Sequence, residues 1–339
     1  MTTWESRRGA RKVTCRSMRS LTLVAALLAS SAWASAAVLL FPAVGTPGQI
    51  TLSGRVLKHA PSTGSSTFSK NLRRLTSSNW EGAAVEVRYA DRTAQTVSGH
   101  DGNFSVTLSG EKKPFEVGLA TAEAHVQGAD PGIATVDILA TTAPFFVVSD
   151  FDDTLAVTNV VNSSGLVKAA LLQDETTQPV VEGMAEFYGC LKEDKPARPA
   201  FALVSGSPAQ YLGRVREFLN SHGFPVFGIY LRDIGPSTLH DYKQPVIRAL
   251  LKELPNEVVC VGDSGEHDPE VYKQMNAEFP GRVKAIYIRN AGHAEDLKRF
   301  EGMFLFAHPR EAALDAVKKG LASAECVARA FPAVKKESK

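Results

Sequence analysis

The run Phe146-Val147-Val148-Ser149-Asp150-Phe151-Asp152-Asp153-Thr154 constrains this chain more than any other stretch. Its apolar half reads as a buried strand, and its end delivers three carboxylates to one edge of a sheet. Like charges this close repel, so the cluster persists where a cation or a reacting phosphate uses it. A helix-loop-helix calcium loop would need Gly at its sixth position and Glu at its twelfth, but Leu155 and Val161 stand there. Turn capping explains Asp153 or Thr154 taken singly, but not the pattern that follows.

From Phe145 onward, apolar strands alternate with helical segments, which predicts a parallel sheet covered on both faces. The expected strands are 145–149, 200–204, 227–231, 258–261 and 283–288, with a later one at 303–306. Helices are expected over 208–221, with Ser207 as cap, and over 269–277, with Asp268 as cap, each with Pro in its first position. Ligands bind such sheets at the carboxyl ends of strands, where Asp150, Ser205 and Asp263 emerge. Before this unit, short alternating strands at 49–57, 84–89 and 104–108, with turns such as His100-Asp101-Gly102-Asn103, predict a small all-β sandwich over 48–140. The second domain is expected over 145–330. Between the two lower strands, Lys70, Arg73 and Arg74 form a basic cluster. It reads as a solvated loop face or as a contact with an anionic membrane surface.

The first 20 residues hold six basic side chains and one acidic one, and Leu21 to Phe41 then carries no charge. This predicts a signal peptide over 1–36, with Ala34-Ser35-Ala36 as its small-residue cleavage site; Met18 is an alternative start. A retained membrane anchor reaching Phe41 is the rival reading, although four Ser or Thr interrupt the apolar run. Either way the protein is expected outside the cytoplasm, periplasmic or extracellular. Loss of residues 1–36 turns the net charge from +2 to −3, so the basic balance gives no reason to expect a nucleic-acid partner. Cys190, Cys260 and Cys326 remain; Cys260 lies in an apolar strand, and a bond between Cys190 and Cys326 is possible, though no spacing rule requires it.

Phosphoryl transfer needs a nucleophile, an acid for the leaving oxygen, cations on the phosphoryl oxygens and a divalent metal. The series Asp150, Asp152 and Thr154, then Val204-Ser205-Gly206-Ser207, then Lys243, then Gly262-Asp263-Ser264-Gly265-Glu266-His267-Asp268 resembles the four motifs of the haloacid dehalogenase superfamily over residues 145 to about 290. That resemblance implies a haloacid-dehalogenase-like, doubly wound α/β domain preceded by the sandwich. It implies Asp150 as nucleophile, through an aspartyl-phosphate, and Asp152 as the group that protonates the leaving oxygen and then activates water. Thr154, Ser205, Gly206 and Lys243 would hold the phosphate, with Lys243 also neutralising charge. Asp150, the Asp152 carbonyl, Asp263 and Asp268 would form or support an Mg²⁺ site.

A closer resemblance lies in Val204-Ser205-Gly206-Ser207-Pro208, Leu231-Arg232-Asp233, Asp268-Pro269-Glu270-Val271-Tyr272 and Ala285-Ile286-Tyr287-Ile288-Arg289. These stretches are similar to the catalytic domain of the actin-patch-associated phosphatidate phosphatases, whose bacterial members carry a β-sandwich with a stretch like Ser53 to Val56. The chain departs from the family at Ala209, near the expected mouth of the site, at Tyr242 and at Asn290. The implied reaction is Mg²⁺-dependent release of phosphate from phosphatidate, giving diacylglycerol. The spacing leaves no room for a large lid domain, which suits a lipid headgroup or a phosphoprotein. The alternatives are a phosphatase for soluble phosphomonoesters and a non-catalytic lipid-binding module.

Overall fold

The structure is a computed structural model that describes residues 36–59, 78–158, 178–193, 197–232, 242–292 and 294–332. The expected signal peptide apart from its last residue, Ala36, the basic cluster Lys70, Arg73 and Arg74, and Asp233 lie outside the described residues.

Nine strands build the amino-terminal part: β1 (Ala36–Leu40), β2 (Ala43–Gly45), β3 (Gln49–Leu57), β4 (Ala84–Tyr89), β5 (Arg92–Val97), β6 (Asn103–Ser109), β7 (Gly118–His125), β8 (Ala129–Asp130) and β9 (Gly132–Ile138). They form one sheet ordered β6-β3-β1-β8 and another ordered β2-β9-β7-β4-β5. Alternation along β3 and β4 turns Ile50, Leu52, Val85 and Val87 inward, and these meet Ala122, Ala124, Val136 and Ile138 of β7 and β9 in one shared core. The expected lower boundary at Gly48 is corrected by this arrangement. Val38 and Leu40 of β1 belong to the same core, and β1 pairs antiparallel with β3, so the last residues of the uncharged run are strand. Among the described residues, no helix is long and apolar enough to cross a membrane.

The second part carries β10 (Phe146–Ser149), β11 (Phe201–Pro208), β12 (Phe227–Arg232), β13 (Val258–Asp263), β14 (Val283–Arg289) and β15 (Phe304–Phe306). These six make one sheet ordered β12-β11-β10-β13-β14-β15, with every pair parallel. Phe145 and Val147 face the helices 184–192, 212–221, 309–318 and 324–330, while Phe146 and Val148 face the helices 243–253 and 268–278. Strands buried on both faces must be apolar throughout, which explains the near-continuous Val, Ile and Phe. A bond between Cys190 and Cys326 ties the helix Met184–Lys192 to the helix Ala324–Ala330 across 136 residues of sequence, and Cys260 is free and buried.

The two parts meet closely. Ile229 of the edge strand β12 donates its backbone N–H to Pro42 O at 2.8 Å, and Val44 N–H donates to the Tyr230 hydroxyl at 3.2 Å. Arg198 makes a two-point ion pair with the buried Asp137 of β9, at 2.8 and 2.6 Å.

Candidate active site

The chain leaves β10 toward β11 on one side of the sheet and returns to β13 on the other, which makes the carboxyl ends of these three strands a topological switch point, where such sheets bind ligands. Asp150 continues the ladder, its N–H bonding Val261 O at 2.9 Å, and is wholly buried. The chain then turns sharply through Asp153, whose φ of 53° lies in the left-handed region that short polar side chains tolerate. The Asp153 carboxylate accepts from Thr158 N at 2.9 Å, so it stabilises the turn. That turn sends Thr154 back, and its hydroxyl donates to Asp150 Oδ2 at 3.2 Å.

Asp152 is buried opposite β11. Its Oδ2 accepts from the Ser205 hydroxyl at 3.2 Å and the Ser207 hydroxyl at 2.9 Å. Burial and the charge of Glu266 push its carboxyl up to about 6, against the pull of the two serines. Ser207 is therefore not the expected helix cap. β11 continues to Pro208, a single 3-10 turn covers Ala209–Tyr211, and the helix proper is Leu212–Ser221. Ala209, expected at the mouth, is wholly buried in the apolar core. Gly206 gives its carbonyl to Arg232 Nε at 2.8 Å.

Lys243 opens the helix Lys243–Glu253 and is nearly buried. Its Nζ lies 2.8 Å from Asp150 Oδ1, 2.6 Å from Asp268 Oδ1 and 3.0 Å from Glu266 Oε2. Burial alone would lower its pKa, but the three carboxylates outweigh that and hold it above the ordinary lysine value. Burial pushes Asp150 up well past the usual carboxylate range, with Lys243 opposing.

Asp268 also departs from the expected cap. It is the first residue of the helix Asp268–Glu278, and its carboxylate turns inward to Lys243 and to Asp263 N–H at 3.2 Å. Only glycine fits beneath it, since a Cβ on Gly262 would stand 2.4 Å from Asp268 Oδ2. Asp263 Oδ1 accepts from Gly265 N–H and from Glu266 N–H at 3.2 Å, while the buried Oδ2 has no hydrogen-bond partner. Burial and the neighbouring charge of Asp268 raise the Asp263 pKa.

Asp150, Glu266 and Asp268 each bring a ligand atom within 4.8 Å of the others, a set that could hold a metal ion, and all three carboxylates also pair with Lys243 Nζ. The unpartnered Asp263 oxygen adds a hard donor in the same loop, so the residues present fit an oxygen-seeking cation. Glu266 was not singled out by the sequence, although it stands inside the motif around Asp263. Its distance from the expected ligands in space, unlike its distance in sequence, depends on how the loop folds.

A buried cluster of carboxylates around one lysine, at the switch point of a parallel sheet, is thus the class of site this chain carries. Residues 145–290 match the family described as phosphatidate phosphatase APP1, catalytic domain, and over this segment the chain resembles that family. The chain is 28% identical to phosphatidate phosphatase APP1 of Saccharomyces cerevisiae over 199 residues, covering 56% of this chain and 33% of that protein. It is 26% identical to an uncharacterised protein of Schizosaccharomyces pombe over 153 residues, covering 42% of this chain and 25% of the other. The chain therefore spans about a third or less of the length of these relatives. Among solved structures, a carbohydrate acetylesterase from Xanthomonas citri overlaps at a TM-score of 0.31 with 12% identity, covering 78% of this chain and 67% of that one. That likeness is too slight to carry a conclusion.

Proposed function

We propose that this chain is an exported, Mg²⁺-dependent phosphatidate phosphatase of the haloacid dehalogenase superfamily. The observation that carries the reading is the convergence of Asp150 and Asp152 after β10, Lys243 at the start of a helix and Asp263 at the end of β13, inside the segment that matches the APP1 catalytic domain. Asp150 attacks phosphorus and the bond from phosphorus to the diacylglycerol oxygen breaks. Asp152, held by Ser205 and Ser207, gives that oxygen its proton. Asp152 then takes a proton from water as the water cleaves the aspartyl-phosphate, and free phosphate leaves. Lys243 offsets the charge of Asp150 and of the transferred group, while Thr154, Ser205 and Gly206 line the phosphate position. Asp150, Asp263 and Asp268, with the Asp152 carbonyl and Glu266, would hold the cation, which supplies electrophilic stabilisation of the phosphoryl oxygens.

Export rests on the basic, then uncharged start of the chain, and the Cys190–Cys326 bond supports an oxidising compartment. Contact with an anionic lipid surface through Lys70, Arg73 and Arg74 belongs to the same reading.

Phosphate release by the protein from Ala37 onward, measured on phosphatidate micelles and on a panel of soluble phosphomonoesters with and without Mg²⁺, tests the proposal. Phosphatidate is expected to be preferred, and chelation to silence the reaction. A soluble ester at least about tenfold better by kcat/KM would replace the lipid reading with that of a general phosphatase. Undiminished activity in excess chelator would remove the metal, and no turnover of any ester would favour the lipid-binding module.

A further inference from the structure

Arg299 lies on the 3-10 turn Leu297–Phe300, beyond the matched residues 145–290. Its guanidinium nevertheless spends its donors on the loop between β13 and the helix Asp268–Glu278. Nη1 donates to Ser264 O, Nη2 to Glu266 O, and Nε and Nη2 together grip the carboxylate of Glu270, the latter at 2.8 Å. Arg289 reaches the Asp153 carbonyl and Arg232 that of Gly206, on other loops of the site.

The consequence lies in a single peptide unit. Ser264 C=O and Gly265 N–H share it; the oxygen receives the guanidinium and the N–H donates to Asp263 Oδ1. Bonds in series through one peptide polarise each other, so the arginine charge strengthens the bond that fixes Asp263. With Oδ1 held there and by Glu266 N–H, Oδ2 is left as the buried, unpartnered oxygen. Anchoring the Glu266 carbonyl in the same way sets the backbone from which the Glu266 carboxylate reaches the Asp150 and Asp268 cluster.

We infer that Arg299 is a positioning residue for the divalent cation, presetting the Asp263 and Glu266 carboxylates from outside the catalytic segment. The inference rests on the metal dependence proposed above. Guanidinium suits the role because its planar fork reaches two carbonyls and a carboxylate at once, which an ammonium cannot do.

The test is Mn²⁺ binding to the full chain without substrate, followed by electron paramagnetic resonance, for wild type, Arg299→Gln, Arg299→Lys and Glu270→Gln, with melting temperatures recorded in chelator. Arg299→Gln is expected to weaken Mn²⁺ binding by about tenfold or more, the scale of lost support to metal ligands. Arg299→Lys should recover part of this, and Glu270→Gln, which keeps the carbonyl contacts, should stay within about threefold of wild type. Unchanged affinity in Arg299→Gln overturns the inference alone. So does an equal loss in Glu270→Gln, because the anchor to the helix would then be what matters. If Arg299→Gln fails to melt cooperatively, Arg299→Lys decides, and wild-type affinity in that variant overturns the inference. A wild type that binds no Mn²⁺ removes the metal reading itself.

Discussion

The sandwich and the parallel sheet bury different things. The core shared by the two sandwich sheets is built mostly of Val, Ile, Leu, Ala and Phe, and among the described residues of that half the buried charges are Arg55 and Asp137. The parallel sheet is as apolar along its strands, yet it buries Asp150, Asp152, Lys243, Asp263 and Asp268 together at one end. Desolvating an ion costs several kcal/mol even after relaxation, so such a cluster survives only where the surrounding structure over-determines it. Here the strand ladders, the turn at Asp153 and the tight packing over Gly262 hold the carboxylates where water would otherwise draw them. The shared core of one half is apolar, while the other half carries the electrostatic cost of a buried charge cluster.

The comparison breaks most visibly at Asp150. Asp150→Asn is expected to lower turnover by about 10³-fold or more with the fold retained, because it removes the attacking oxygen's charge from an otherwise intact pocket. Initial rates on phosphatidate alongside circular dichroism would check this, and near wild-type turnover would overturn the role given to Asp150.

Gly262→Ala acts on the same end without touching a reacting group. The added methyl meets the Asp268 carboxylate and must displace it, and a shift of about 1 Å in such a site costs on the order of 10²-fold. A variant with unchanged kcat would mean that the inward turn of Asp268 is dispensable.

Arg198→Ala probes the joint between the halves, leaving Asp137 buried without its partner. The expected loss is about 2–4 kcal/mol at neutral pH, below the full cost of breaking a buried pair because Arg198 is 32% exposed. Burial raises the Asp137 pKa while Arg198 opposes it, so the folded state holds that proton more tightly than the unfolded chain. Stability from such a group is greatest at low pH and is lost as pH rises through the folded value. The gap between variant and wild type should therefore narrow as pH falls toward the ordinary carboxylate range, as denaturant titrations at several pH values would report. A gap independent of pH would assign the loss to packing.

The smallest effect is expected at Gly228, where an added Cβ would stand 2.9 Å from Val44 Cγ2 and 3.0 Å from Val44 N. Gly228→Ala should cost about 1–3 kcal/mol through overpacking between β2 and β12, with kcat unchanged. Wild-type melting would mean that the two halves part without cost.

What the sequence determined by itself was local. Alternation and apolar runs marked β3, β4, β6 and the six parallel strands, and the residue types at the ends of β10, β11 and β13 marked where charge gathers, because both signals lie within a few neighbouring residues. The first two strands were hidden, since Ala36 to Gly45 continue the uncharged stretch that also reads as an export signal. Tertiary structure decided where side chains point. Ser207 and Asp268 carry the local signature of helix caps, yet the first turns to Asp152 and the second to Lys243, partners 55 and 25 residues away in the chain. The same holds for Glu266, for Arg299 and for the pairing of Cys190 with Cys326. Each depends on loop geometry and on contacts distant in sequence, which no short-range pattern encodes because their energies exist only once the strands are side by side.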